Sequence, residues 1–154
     1  MSLELEFLTP TDKPALVGLS TPELLDAAKT AFDQLGYKAH MAANHGDFIF
    51  KFVQNSYQVV LLEECFSAAQ PEENESLLTL QRMTMAQRRH SVVILIGFSF
   101  ATFNPTQAFQ QSVHAVVNPS EIFLIIQLIQ KAVADSDLFL HNYRESQKRL
   151  AIAA

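Results

Sequence analysis

Five short apolar runs alternate along the chain with segments of helical periodicity, and this alternation limits the folds that the sequence can adopt. The runs cover residues 15–19, 38–43, 57–62, 91–98 and 113–117. The helical patterns cover residues 20–36, 44–56, 74–90 and 104–112, and a last one runs from Pro119 to about residue 150. Short, continuous apolar strands are typical of parallel strands that are covered on both faces.

The strand and helix order predicts an α/β fold of the flavodoxin-like type. Right-handed crossovers turn five strand–helix units into a doubly wound parallel sheet of order 2-1-3-4-5, here with an extended C-terminal helix. In such a sheet a site forms where the strands end at their carboxyl edge. The residues that the sequence places there are Leu19, Ser20, Glu63, Glu64, Ile96, Gly97 and Asn118.

Charge and cysteine content restrict the functional class. The chain of 154 residues has a formal net charge of -5, and its densest basic point is only residues 88–90, so we expect no nucleic-acid binding. A single cysteine, Cys65, rules out an internal disulfide framework and favours a reducing cytoplasm. No signal peptide is apparent, and the apolar stretch 122–134 is too short and too polar for a membrane span.

The chain divides into three predicted parts. Residues 13–135 hold the five strand–helix units, and residues 136–154 form a helical extension. Residues 1–12 precede the first strand, and their alternating segment LELEFL is either a short added strand or a linker from another module.

No local motif indicates enzyme chemistry or a metal site. The five histidines lack metal-binding spacing, no GxSxG motif is present, and Asn44-His45-Gly46 is typical of a strand-to-helix turn. Cys65 follows Glu63 and Glu64, whose charges disfavour a thiolate, so we expect a half-buried filler rather than a redox sensor. We predict no catalytic residue, no metal and no cofactor.

Three segments together resemble the receiver domain of two-component response regulators, over residues 13–134. KPALVGLSTPELLDAAKTAFDQLGY resembles the family's first strand and helix, NSYQVVLLEE its third strand, and VVNPSEIFLIIQLI its fifth strand and last helix. The resemblance implies the same fold of order 2-1-3-4-5. It also implies a cis peptide bond between Asn118 and Pro119.

The residues that carry receiver chemistry are replaced. The resemblance aligns Leu19 and Ser20 with the acidic pair that helps hold Mg²⁺, and Glu63 with the phosphorylated aspartate. The phosphoryl-binding hydroxyl residue is matched by Ile96, or by Gly97 if the register shifts by one. The two remaining matches are Asn118 for the lysine and Ala115 for the aromatic switch residue.

These replacements predict a degenerate receiver without a Mg²⁺ site and without phosphorylation. Mg²⁺ prefers oxygen ligands in octahedral geometry, and phosphoryl transfer needs cationic groups around the transferred group. Glu63 is then either a permanent charge that imitates an acyl phosphate, or a partly solvated carboxylate bonded to Ser20 or Asn118. Glu64 is expected to be a solvated rim residue.

The C-terminal region carries more apolar residues than one helix face needs. Residues 122–129 are apolar at nearly every position, and further apolar residues follow after residue 137. We expect a homodimer. Its interface is either the face formed by residues 104–134, which include the last two helices and the fifth strand, or the C-terminal tail. The predicted interface residues are Ile122, Phe123, Ile126, Leu138, Phe139 and Tyr143.

Two functional hypotheses follow. The first is a phosphorylation-independent receiver that acts by binding a protein partner. The second is a flavodoxin-like domain that binds a small ligand in the crevice, although no Gly-rich phosphate loop follows the first strand. A preformed apolar pocket of several hundred Å³ would favour the second hypothesis, and a filled crevice the first.

Overall fold

A five-stranded parallel sheet in the order β2-β1-β3-β4-β5 forms the centre of the computed structural model. The structure describes residues 8–9, 11–88 and 90–153, without the side chains of residues 85, 86, 152 and 153, so the LELEFL segment lies largely outside the described residues. The strands are β1 (Pro14–Gly18), β2 (Lys38–Met41), β3 (Val59–Glu63), β4 (Val92–Ile96) and β5 (Ala115–Val117). The predicted α/β fold and strand order are confirmed.

Six α-helices within the described part of the chain connect and cover the strands. They are α1 (Pro22–Leu35), α2 (His45–Gln54), α3 (Glu75–Arg82), α4 (Met85–Arg88), α5 (Pro105–Gln111) and α6 (Ile125–Ala153), with 3-10 turns at Pro71–Glu73 and Pro119–Leu124. No helix among these described residues has the length and apolar character needed to cross a membrane.

The continuous apolar strands face two separate cores, because the helices lie on both sides of the sheet. Alternate strand residues such as Val17, Leu61 and Ile94 pack against α1 and α6. Their neighbours, among them Leu16 and Leu95, pack against α2, α3 and α5. The inner strands therefore have no solvated face, which is why they lack polar alternation.

The helix predicted within residues 20–36 is present as α1 and has a buried stripe. Leu24, Ala28 and Phe32 are buried along it. Gly36 ends the helix with φ of 78°, a left-handed conformation that glycine adopts without strain from a Cβ atom.

The single helix predicted over residues 74–90 is wrong, because the structure breaks it at Met83. Met83 has an extended conformation with ψ of 147°, and a new turn starts at Thr84. Gln87 Oε1 accepts a hydrogen bond from the backbone N–H of Thr84 at 2.9 Å, and Thr84 Oγ1 accepts one from Gln87 N at 3.3 Å. This reciprocal pair is a capping box, which begins a second helix.

The predicted cis bond at Asn118-Pro119 is wrong as well, since none of the described peptide bonds is cis. The trans form suits the role of Asn118, whose side-chain oxygen accepts hydrogen bonds from Ser120 N at 3.0 Å and Ser120 Oγ at 2.7 Å. Asn118 thereby caps the 3-10 turn that leads into α6, and trans X-Pro bonds are favoured where nothing selects the cis form.

Candidate functional site

The crevice at the carboxyl edge of the sheet lies between the end of β3 and the start of α1. Glu63 is the last residue of β3 and pairs in register with Ile96, the last residue of β4. On the other side, β1 leads through Leu19 and Ser20 into α1. Glu63 therefore lies at the carboxyl edge of the sheet, as the sequence predicted.

Both carboxylate oxygens of Glu63 accept hydrogen bonds from the entry to α1. Oε1 accepts from the backbone N–H of Ser20 at 2.8 Å and of Thr21 at 3.1 Å. Oε2 accepts from the Thr21 hydroxyl at 2.8 Å. The carboxylate thus lies at the positive end of the helix dipole, where a negative charge is stabilised. Thr21 is the N-cap residue of α1, but its hydroxyl donates to Glu63 and makes no cap hydrogen bond to the helix.

The loop after β3 is held by Ser20, a predicted site residue, and by Asn74, which sequence reasoning did not assign to the site. Asn74, which is fully buried, donates to the carbonyl oxygens of Glu63 and Glu64, each at 3.0 Å. Its side-chain oxygen also accepts from Leu77 N and caps α3. Ser20 Oγ accepts from the backbone N–H of Ser67 at 2.9 Å. The sequence signal for Asn74 was its cap position before ESLLTL.

Glu64 packs over Gly97, which corrects the expectation of a solvated rim residue. A Cβ atom on Gly97 would overlap with Glu64 Oε1 and would lie 2.7 Å from Glu64 Cβ. The Glu64 side chain therefore occupies the space that a hydroxyl-bearing residue would need at position 97.

Asn118 was one of the two predicted bonding partners of Glu63, but its side chain does not reach the Glu63 carboxylate. Its amide nitrogen donates to the carbonyl oxygen of Phe100 at 2.9 Å and its backbone N–H to Thr102 Oγ1 at 3.0 Å. Asn118 thus fixes the loop between β4 and α5. Of the two predicted partners, Ser20 is the one that bonds Glu63, and it does so through its backbone N–H.

Three of the predicted site positions belong to the core. Leu19 is 3% exposed, Ile96 is fully buried, and Ala115 is 1% exposed. All three pack in the cluster beneath α1 and α6. Position 96 therefore offers an apolar side chain and no hydroxyl to the crevice, and Gly97 stands beside it without a side chain.

A cavity of about 520 Å³ opens at this crevice. Pro119 and Ile122 line it together with Glu63, Glu64 and Gly97. The other residues that line it are Thr21, Glu23, Leu24, Cys65, Pro71, Ile96, Phe98 and Ser99. By the criterion stated above, an open pocket of this size favours the small-ligand hypothesis. Ile122, predicted at a protein interface, lines this cavity.

The residues at the crevice do not fit a Mg²⁺ ion. Leu19 offers no oxygen ligand, the Ser20 hydroxyl accepts from Ser67, and both Glu63 oxygens are engaged by donors. Within the described part of the chain, no three His, Cys, Asp or Glu side chains come together as a metal-binding group.

Cys65 lies beside the same carboxylates. Desolvation raises the pKa of its thiol above the ordinary value of 9.0, and the charges of Glu64 and Glu63 raise it further. The thiol therefore stays protonated at neutral pH, and protonated thiols are poor nucleophiles and metal ligands.

The comparisons with known proteins support the fold. No protein-family profile matches the chain, and a search of curated proteins returns no significant match. Among solved structures, a response regulator receiver domain protein (CheY-like) from Methanospirillum hungatei JF-1 is similar, with a TM-score of 0.61 and 16% identity over 82% of this chain and 98% of that one.

Two further structures have comparable similarity. A response regulator from Thermotoga maritima has a TM-score of 0.61 and 13% identity over 80% of this chain and 98% of that chain. NtrX from Brucella abortus, crystallised in complex with ATP, has a TM-score of 0.64 and 13% identity over 87% of this chain but only 29% of its own. Identities this low establish a shared receiver fold and nothing finer.

Proposed function

We propose that this protein is a receiver-type signalling module of a two-component kind that works without phosphorylation and without catalysis, by binding other proteins in the cytoplasm. The observation that carries the proposal is the engagement of Glu63. Its two oxygens accept three hydrogen bonds from Ser20 and Thr21. A carboxylate that serves as a helix cap is poorly placed to attack a phosphoryl group.

The surroundings of Glu63 support the same conclusion. Phosphoryl transfer requires a metal ion or cationic side chains that neutralise charge on the transferred oxygens. None of the residues that line the cavity is a lysine, arginine or histidine, whereas Glu23 and Glu64 add negative charge beside Glu63. An incoming phosphate would meet repulsion here.

Exposed aromatic side chains support a protein partner. Phe98 and Phe123 are 80% and 77% exposed, and both belong to segments at the crevice. Large exposed apolar side chains that cluster beside a cavity are typical of interaction sites. The edge of the crevice is therefore the surface on which we expect a protein to bind.

The test is incubation with acetyl phosphate and Mg²⁺, followed by intact-mass measurement, beside a receiver domain known to be phosphorylated as a reagent control. We expect no mass increase on this chain. A Glu63→Asp variant, which shortens the side chain toward the family residue, is expected to remain unmodified because the cationic groups are still missing. An adduct of about 80 Da on Glu63 would contradict the proposal.

The cavity favours a second candidate function, the binding of a small ligand. Its volume of about 520 Å³ lies within the range of ligand pockets, and apolar side chains such as Leu24, Ile96 and Ile122 line it. The three carboxylates in its wall favour a ligand with an apolar body and a positive charge.

The experiment for this candidate is an NMR titration with a library of small organic fragments. Ligand binding predicts shifts at Gly97 and Cys65 that disappear in an Ile122→Phe variant, which narrows the cavity. A Leu138→Phe variant, altered far from the cavity, keeps the shifts. A complete lack of shifts at these residues removes the second candidate.

A further inference from the structure

The C-terminal helix α6 is amphipathic over nearly its whole length. Residues at spacings of three and four form one stripe: Ile125, Leu128, Ile129, Ala132, Ser136, Phe139, Leu140, Tyr143, Gln147 and Leu150. Such spacing places side chains on a single face of a helix. The stripe is apolar apart from Ser136 and Gln147.

Only the first half of this stripe is covered by the domain. Ile125, Ile129 and Ala132 are at most 4% exposed. Farther along, Phe139, Tyr143 and Leu150 are 62%, 42% and 72% exposed. The helix reaches the N-terminal edge of the sheet near Asp137, which borders a groove with Lys13 at the start of β1. Among the described residues of α6 beyond this edge, Leu140 is half-buried and none is fully buried.

A helix of this length is not expected to be stable alone. Residues 141–153 are thirteen residues that extend about 20 Å from the domain. Isolated helices of this size are marginal in water, and most helical stability comes from packing of an amphipathic face. The exposed half of the stripe therefore needs an occupant.

We propose that the occupant is a second copy of this chain, whose α6 tail packs antiparallel against residues 136–150 in a twofold dimer. This inference goes beyond the proposed function and does not depend on the chemistry of Glu63. A twofold axis fits this contact, because the same stripe on each copy packs against its counterpart on the other copy.

Sterics select the antiparallel arrangement. The globular domain lies on the same face of α6 as the exposed stripe, since residues 125–132 pack into it along that face. Two packed helices lie about 8–10 Å apart, whereas a small domain is about 30 Å across. If the two tails were parallel, both domains would lie at the same end of the helix pair. Each domain would also lie on the helix face that meets the other helix, so the two domains would collide. Antiparallel tails place the domains at opposite ends.

The charges along the tail agree with this arrangement. Asp135 and Asp137 stand near the domain, whereas Arg144, Lys148 and Arg149 stand toward the end of the helix. Antiparallel pairing brings the acidic end of each tail beside the basic end of the other, and parallel pairing would bring like charges together. The ion pairs within one helix, Lys131–Asp135 at 3.0 Å and Lys148–Glu145 at 3.6 Å, are exposed and can be shared with the second copy.

A groove at the base of the domain provides room for the end of the second tail. Its volume is about 240 Å³, and Phe103, Phe139 and Leu140 line it together with Asp135. Leu150, near the end of the second tail, is preceded by Lys148 and Arg149, so this segment matches both the apolar lining and the negative charge of the groove.

The first test is solution mass by light scattering and sedimentation equilibrium across a range of concentrations. We expect a concentration-dependent dimer for the full chain and a monomer for a chain that ends at Asp137. Phe139→Glu and Leu150→Glu are each expected to give monomers. Leu138→Glu is the matched control, because Leu138 is also 62% exposed but lies outside the stripe. Circular dichroism verifies that every variant is folded.

The second test determines orientation by disulfide formation in a Cys65→Ser background. A mixture of the Ser136→Cys chain and the Leu150→Cys chain is expected to form mixed disulfides, whereas Leu150→Cys alone is expected to form few. Efficient self-linking at position 150 would overturn the antiparallel arrangement. A monomer at all concentrations, or a dimer that survives Phe139→Glu and Leu150→Glu, would overturn the proposal itself.

Discussion

A single carboxylate, that of Glu63, joins the end of β3 to the start of α1 at the crevice. Glu63 stands at the end of β3, and its longer side chain reaches the N-terminus of α1. There it performs a task that Ser20 or Thr21 would otherwise perform as a cap. The negative charge of Glu63 is thus stabilised by the N–H groups at the start of α1.

Removal of this carboxylate is expected to cost stability. Glu63→Ala leaves the N–H groups of Ser20 and Thr21 without their acceptor, so we expect the free energy of unfolding to fall by about 1–3 kcal/mol in urea denaturation. Glu73→Ala, at an exposed glutamate of the Pro71–Glu73 turn, is the control and should change it by less than about 0.5 kcal/mol. Equal effects of the two substitutions would show that Glu63 does not cap α1.

A hydroxyl residue at position 97 should be poorly tolerated. The Cβ atom of Gly97→Ser would meet Glu64 Cβ at 2.7 Å, so we expect a loss of about 1–3 kcal/mol in the free energy of unfolding. Glu64→Gly removes the clashing atoms, and the double variant should be more stable than the sum of the single changes predicts. Additive effects in this double-mutant cycle would contradict the contact.

At the scale of elements, capping interactions explain where the sequence prediction and the structure differ. The apolar pattern of residues 74–90 continues through Met83, yet the Thr84–Gln87 capping box starts a new helix there. The capping motif T-x-x-Q was present in the sequence. The sequence alone did not show that this motif would interrupt the continuous helix that the apolar periodicity indicated. Arg88, buried on α4, donates to the carbonyl oxygens of Leu80 and Ser112 and so joins α4 to the ends of α3 and α5.

The start of β5 carries a pH-dependent contact. His114 Nδ1 accepts a hydrogen bond from Val93 N at 3.0 Å. The outer side of His114 is exposed to solvent. Its pKa is nevertheless lowered from 6.5 to about 4, mainly by desolvation of the ring and secondly by the charge of Arg88. Its neutral form therefore favours the folded state above pH 6.5, and this contribution is lost as the pH falls through about 4.

We expect the His114 ring to titrate near pH 4 when NMR follows its carbon-bound protons. Denaturation midpoints should fall between pH 6.5 and 4, and a His114→Asn variant, which can still accept from Val93, should show a weaker decline. Titration at the ordinary value of 6.5 would contradict the contact.

At the scale of the whole molecule, the chain combines a well-covered sheet with a helix that leaves it. Residues of β1, β3 and β4 are buried on both faces, whereas α6 beyond residue 140 has no fully buried residue among those described. Local stability should differ accordingly, because exposed segments open at low free energy.

Hydrogen exchange can measure this difference directly. We expect the amides of β3 and β4 to be protected at every protein concentration. The amides of residues 141–150 should exchange fast in dilute protein and become protected as dimers form. Leu138→Glu serves as the control that keeps this dependence on concentration, and Phe139→Glu should abolish it. Protection of the tail in dilute wild-type protein would contradict a helix stabilised by pairing.

The sequence by itself determined the class of the fold, the strand order and the position of Glu63, because these depend on apolar periodicity and on the rule that parallel strands end at one edge. Only the tertiary structure decided the partners of Glu63, the packing of Glu64 on Gly97, the trans bond before Pro119 and the open cavity. The partners of Glu63 and the packing of Glu64 on Gly97 depend on contacts between segments that lie far apart in the chain, such as Ser20 with Glu63. No local pattern encodes such contacts, since they arise where separate loops meet at the edge of the sheet.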